Sequence, residues 1–206
     1  PWQKRTNLVW FYNYAIGSPR DSQGRSCREV VVSELSKKFS KGGKLENFDG
    51  IQFDVTLFRS GFGRRLADVN ADGVGDDGYI NGVNMYGKGA VEFGKLLRKE
   101  LGPDKIITGD GFSKNHTRNF ESFNGIESEG WPSLRDYKII NWSSGINRHK
   151  FWDQNSYSPS FNYIVLKYHP ENQSFKEYTP PPHLNRLVMA GAMFTNSAVT
   201  YVHTPS

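Results

Sequence analysis

Apolar positions follow two rhythms along the chain. Short runs that are wholly apolar or alternate with polar residues predict seven strands. They are "NLVWFYNY" (7–14), the run at 50–55 within "FDGIQFDV", "DKIITGDG" (104–111), "FNGIESEG" (123–130), "KIINW" (138–142), "NYIVLKY" (162–168) and "AVTYVH" (198–203). Between them lie segments with helical spacing. "RSCREVVVSELSKKF" (25–39) carries Val30, Val31, Val32, Leu35 and Phe39 and stops at Gly42–Gly43. "NMYGKGAVEFGKLLRKELG" (84–102) turns Val91, Leu96, Leu97 and Leu101 inward and ends at Gly102–Pro103. Shorter helical stretches are expected at 113–122 and 132–137, and a longer one in "HLNRLVMAGAMF" (183–194), introduced by three prolines.

Strand, helix, strand, repeated, predicts an α/β fold with parallel strands and helical crossovers. A dinucleotide-binding sheet would open on a strand followed by G-x-G-x-x-G and a helix, and no such run follows residues 7–14. Gly61–Phe–Gly63 and Gly73–Val–Gly75 lack the third glycine and the helix. The predicted strands instead end in polar or acidic residues: Asn13, Asp54, Asp110, Glu129, Trp142 with Ser143, Lys167 and His203. A (β/α)8 barrel of the TIM type places its active site there. Seven strands in 206 residues fall short of the usual eight in about 250, so the expectation is an incomplete barrel. A further segment or a partner chain would then complete it.

Strand parity gives Asp54 a role. Ile51, Phe53 and Val55 share the face that packs under helices, while Gln52 and Asp54 share the other and point into the barrel. By the same alternation Asp110 ends its strand, and Glu127 and Glu129 both point inward. Three strands therefore aim carboxylates at one mouth. Left open at this stage are a turn-shaping role for Asp110 and a structural ion pair of Glu127 with Lys167.

Composition narrows the classes. With 36% hydrophobic residues the chain can bury one sizeable core, and residues 1–206 read as a single barrel domain with a polar excursion at 59–83. The net charge of +5 is spread over groups such as Lys37/Lys38/Lys41/Lys44 and Lys95/Arg98/Lys99, where helix faces and C-termini favour it, which argues against nucleic acid. No apolar run of 18 residues exists, which argues against a membrane span. The single cysteine, Cys27, has no disulfide partner within the chain and falls at the start of a helix, as a packed thiol would. The start at Pro1 predicts a processed or excised piece. Sequons at Asn115, Asn141 and Asn172 suit a secreted, extracellular protein.

The excursion contains "DVNADGVGDDG" (68–78). Asp68, Asn70 and Asp72 occupy positions 1, 3 and 5 of an oxygen-ligand loop, Gly73 permits the sharp turn, Val74 offers a carbonyl and Asp76 stands at position 9. Position 12 is Tyr79, so one strong ligand is missing. The spacing predicts a structural calcium ion.

Taken in order, "FDGIQFDV", "ITGDG" and "NGIESEGWP" resemble glycoside hydrolases of the alpha-amylase-like (β/α)8 barrel type, uncharacterised secreted glycosyl-hydrolase-like proteins included. The resemblance spans about residues 8–142 and is carried by short motifs. It implies that Asp54 is the rim aspartate and Glu129 the glutamate of a glycosidase. Gln52 replaces the arginine found two residues before the aspartate in true amylases, which separates the chain from that activity. Glycoside hydrolysis requires one protonated and one ionised carboxyl on opposite sides of a sugar. Glu129, beside Gly130 and Trp131, suits the donor role, Asp54 the ionised one, with Asp110 and Glu127 as further candidates. Trp10, Tyr12, Asn13, Trp131, Trp142, Lys167 and His203 are the expected carbohydrate contacts, since pyranose faces stack on flat side chains. A second class stays open: a non-catalytic carbohydrate-binding or structural protein on a degenerate barrel.

Overall fold

The computed structural model describes residues 3–4, 10–60, 66–111, 116–129, 139–166 and 182–201. The chain starts with β1 (Gln3–Lys4) and β2 (Trp10–Phe11), a two-residue antiparallel pair that stands apart from the main sheet. Of the strand expected at 7–14, residues 10–11 pair with 3–4 instead of with the main sheet, residues 12–14 form no strand, and residues 7–9 lie outside the described residues. Of its aromatic residues, Tyr14 packs against a helix instead. Tyr14 stacks on Phe93 with ring centroids 4.6 Å apart, and its carbonyl lies so close over Gly89 that any Cβ there would collide.

Helix α1 (Cys27–Phe39) begins at Ser26, whose side chain accepts from Glu29 N–H while the Glu29 carboxylate reaches back to the Ser26 N–H. Strand β3 (Gly50–Phe53) follows, then the short hairpin strands β4 (Tyr79–Ile80) and β5 (Val83–Asn84). Asn84 caps α2 (Met85–Leu101), and Gly102, at φ 78°, ends it with a backbone conformation that favours glycine. Strands β6 (Ile106–Asp110) and β7 (Gly125–Glu129) come next, then α3 (Ile139–Asn155), β8 (Asn162–Leu166), α4 (Pro182–Phe194) and β9 (Ser197–Tyr201).

Five of the seven expected strands form one parallel sheet in sequential order, β3-β6-β7-β8-β9. The register places Ile51, Phe53, Ile107, Ile126, Ile164 and Leu166 on one face. That face packs under the helices in two cores. One joins Val32, Phe93, Leu97, Ile107, Phe123, Ile126 and Trp152, with Ile51 and Phe53 against it; the other joins Ile164, Leu166, Val188 and Ala192, with Trp142 and Ile146 against it. Each fully buried Leu, Ile or Phe there contributes about 1.5–3 kcal/mol.

The opposite face is concave. Tyr163 on β8 donates its hydroxyl hydrogen bond to Gln52 on β3, although β6 and β7 lie between them. In a flat sheet those strands would be about 14 Å apart, so the sheet is strongly curled. The trough it encloses, about 550 Å³, is lined by Gln52, Thr108, Tyr163, Ala198 and Thr200 among others. A closed ring is not formed among the described residues: β3 and β9 each have one neighbour in the sheet.

Two further expectations are corrected. Residues 116–122, expected to be helical, form turns, because Thr117 Oγ1 takes the Asn119 N–H and Asn119 O takes those of Ser122 and Phe123. Short polar side chains compete with the helical ladder in this way. "KIINW", expected as a strand, instead leads into α3. Trp142, Ile146, His149 and Trp152 recur at helical spacing on its inner side. His149, fully buried, bonds Ser128 Oγ on β7 through Nε2 (2.8 Å) and Ser197 Oγ on β9 through Nδ1 (2.9 Å). Burial pushes its pKa down to about 3, so the imidazole is neutral.

Candidate active site

The sheet register brings the predicted acids together. Phe53 pairs with Gly109 at the end of β3, Asp54 follows in the turn beyond it, and Asp110 pairs with Glu127. Asp110 and Glu127 thus occupy one row on adjacent strands, about 4.8 Å apart, with Asp54 just past the end of β3. Glu129 lies two residues further along β7, about 6.6 Å nearer the rim. Tyr163 continues the row on β8, opposite Glu127.

The local backbone is built around Asp110. Val55 has φ 58°, a left-handed conformation costly for a β-branched residue, and its N–H donates to Asp110 Oδ2 at 2.5 Å. Thr56 Oγ1 donates to Phe53 O and accepts the Asp110 N–H at 3.1 Å. His116, also buried, places Nε2 3.9 Å from Asp110 Oδ2. Burial, outweighing the Val55 and Glu127 hydrogen bonds and reinforced by the charges of Asp54 and Glu129, pushes the Asp110 carboxyl up to about 6. Burial and the neighbouring Glu127, Asp110 and Glu129 push the Tyr163 hydroxyl well above its ordinary range.

The four predicted acids therefore share one mouth. Asp54 is exposed and Glu129 half-buried, whereas Asp110 and Glu127 are buried. The expected carbohydrate contacts fare differently. Tyr12 is exposed and stacked on Tyr14. Asn13 is buried, donating to Asp68 O and accepting from Ala15 N–H, so it braces the acidic loop and ends no strand of the main sheet. Trp142 packs on the helix-covered side of the sheet, away from the concave face. Trp10 is described only in its backbone, and Trp131, Lys167 and His203 lie outside the described residues, as does any Glu127–Lys167 pairing. Tyr163, Val55 and His116 were not anticipated. Tyr163 could have been found from parity alone, because Asn162, Ile164 and Leu166 occupy the opposite face.

In the excursion, ligand oxygens of Asp68, Asp72 and Asp76 lie within 4.8 Å of one another. Asp68 accepts from Ala71 and Gly73 N–H, Asp72 from Val74 N–H and Asp76 from Val69 N–H, so the loop curls around its own carboxylates. Asn70 Nδ2 donates to Asp72 at 2.9 Å. The donor set is all oxygen, the chemistry a hard divalent cation requires.

No protein-family model matches the chain, and no curated protein matches it.

Proposed function

We propose that the chain is a glycoside hydrolase acting on an oligo- or polysaccharide, with Asp54 and Glu129 as its working carboxyls. The observation that carries this reading is the adjacent pair Asp110 and Glu127 with Asp54 and Glu129 beyond it, at the C-terminal ends of parallel strands. Two acids from strands two steps apart leave room for a sugar and a water or a covalent intermediate. Glu129 is assigned as proton donor, Asp54 as nucleophile or base, and Asp110 as the group that tunes them. The sequential strand order and the curl of the sheet support a (β/α)8-type arrangement whose open sides a further segment or partner chain covers. The Asp68, Asp72 and Asp76 loop is assigned to a structural calcium ion, with Asn70 and the Val74 carbonyl completing part of its shell. We place the protein outside the cell, in keeping with its sequons.

The test is hydrolysis of a panel of oligosaccharides, comparing the parent with Asp54→Asn and Glu129→Gln. Either amide keeps shape but removes charge or proton transfer, so turnover should fall about 100-fold or more with little change in stability. Wild-type turnover in both variants refutes the assignment. Tight sugar binding without turnover in the parent would instead favour the non-catalytic carbohydrate-binding reading, which the burial of two of the four acids favours.

A further inference from the structure

Gln52 lies two residues before Asp54 on the concave face of β3, and the chemistry assigned to the mouth makes no use of it. Its side-chain oxygen accepts the hydroxyl hydrogen bond of Tyr163 on β8, three strand steps away. Tyr163 in turn stands opposite Glu127, two residues before Glu129 on β7. Each end of the bond thus sits beside one of the two acids assigned to catalysis. At the level of Gln52 the intervening strands carry Thr108 and Gly125, small residues that the bond can pass over.

The strand ladders alone do not fix the spacing of those acids. Strand β3 lies at the edge and is joined to the sheet through its pairing with β6 only. Neighbouring strands are rotated by anything from roughly 10° to 35°, and that latitude accumulates over three steps. The Val55 N–H ties the turn after Asp54 to Asp110 on β6 and reaches no further, while Ile51 and Phe53 are held from the helix side. The Tyr163 hydroxyl holds β3 from the concave side, and burial raises its pKa, so it stays a donor. We propose that the Tyr163–Gln52 bond is a strut that sets the distance between Asp54 and Glu129, with Tyr163 and Gln52 as positioning residues. Its bearing on turnover rests on the reading of Asp54 and Glu129 as the working pair. The spacing itself is measured without substrate.

The experiment reads geometry and turnover separately. Backbone N–H residual dipolar couplings of the full chain give the orientation of β3 relative to β7 and β8. In Tyr163→Phe, which keeps the ring and drops the hydroxyl, couplings of residues 50–54 should turn away from the common frame while those of 125–129 and 162–166 hold. Gln52→Leu, at an exposed position, should do the same. On an oligosaccharide that the parent cleaves, either variant should lower kcat by about 10- to 100-fold with KM within about twofold. The double variant should lose no more than either single one, because both remove the same bond. A bond that only stabilised the fold would leave kcat intact below the melting temperature. Unchanged β3 couplings in both variants, or losses of kcat that multiply in the double variant, overturn the proposal. A parent that cleaves no oligosaccharide while β3 still turns in the variants refutes the glycosidase reading alone, the strut then spacing two acids of another use. If Tyr163→Phe does not fold, Gln52→Leu decides.

Discussion

Val55 shows how a single residue is conscripted by its neighbour. A β-branched side chain at φ 58° stores about 1–3 kcal/mol, and what holds it there is the N–H it aims at Asp110. Val55→Gly keeps that N–H and relieves the strain. Its melting temperature should therefore stay within about 1 kcal/mol of the parent in stability terms, or rise, where a Val→Gly change in an unstrained strand would lower it. Thermal denaturation by circular dichroism checks this. Asp110 itself makes stability depend on pH. Its pKa is about 6 in the folded chain against an ordinary 3.8, so the folded state binds the proton more tightly. The stabilisation is complete below about pH 4 and is lost as pH rises through 6. Asp110→Asn carries no such dependence, and the gap in stability between it and the parent should widen in its favour from pH 4 to pH 7, by on the order of 2 kcal/mol after solvent screening. A gap constant with pH would contradict the shift. Such details were only half legible in the sequence: parity placed the carboxylates, but the positive φ of Val55 has no signal in "FDVT".

Among the elements, those with strong local grammar were readable. Helix α1 announces itself by Ser26 and Glu29, and α2 by Asn84 and Gly102. Helix α3 was hidden, since Ser143, Ser144 and Gly145 read as loop and Ile139–Ile140 as strand, while its inward residues span both cores. The acidic loop was legible because ligand spacing is a property of sequence alone. At this scale the prediction concerns calcium. Three converging carboxylates repel one another without a cation, so adding calcium should raise the melting temperature, by up to about 2.7 kcal/mol of stability at a hundredfold excess over Kd. Asp72→Asn should blunt the response, and titration calorimetry showing no heat in the parent would remove the site.

The molecule as a whole was legible in class and less so in closure. Alternation of strands and helices gave the parallel sheet, yet two of the seven expected strands went elsewhere, one in part into the pairing of β1 with β2 and one into α3. Periodicity cannot separate a buried strand from one turn of a buried helix when the run is only five residues long. The described sheet keeps two edges, at β3 and β9, and unpaired strand edges invite pairing. The isolated chain should therefore self-associate with rising concentration, as read by sedimentation equilibrium. A lysine in place of Thr200, exposed on edge strand β9, should weaken that association; a strictly monomeric parent at high concentration would show that its edges are already covered.

Helix α3 lies across the seam between the two cores. Trp142 and Ile146 belong to one, Trp152 to the other, and between them His149 ties β7 to β9 over the intervening β8. A beam fastened at both ends couples what it joins: neither core can come apart while the other stays intact without tearing out a buried imidazole and its two hydroxyl partners. Unfolding of these two cores is thereby made a single cooperative event, seen alike by tryptophan fluorescence and by loss of helical signal.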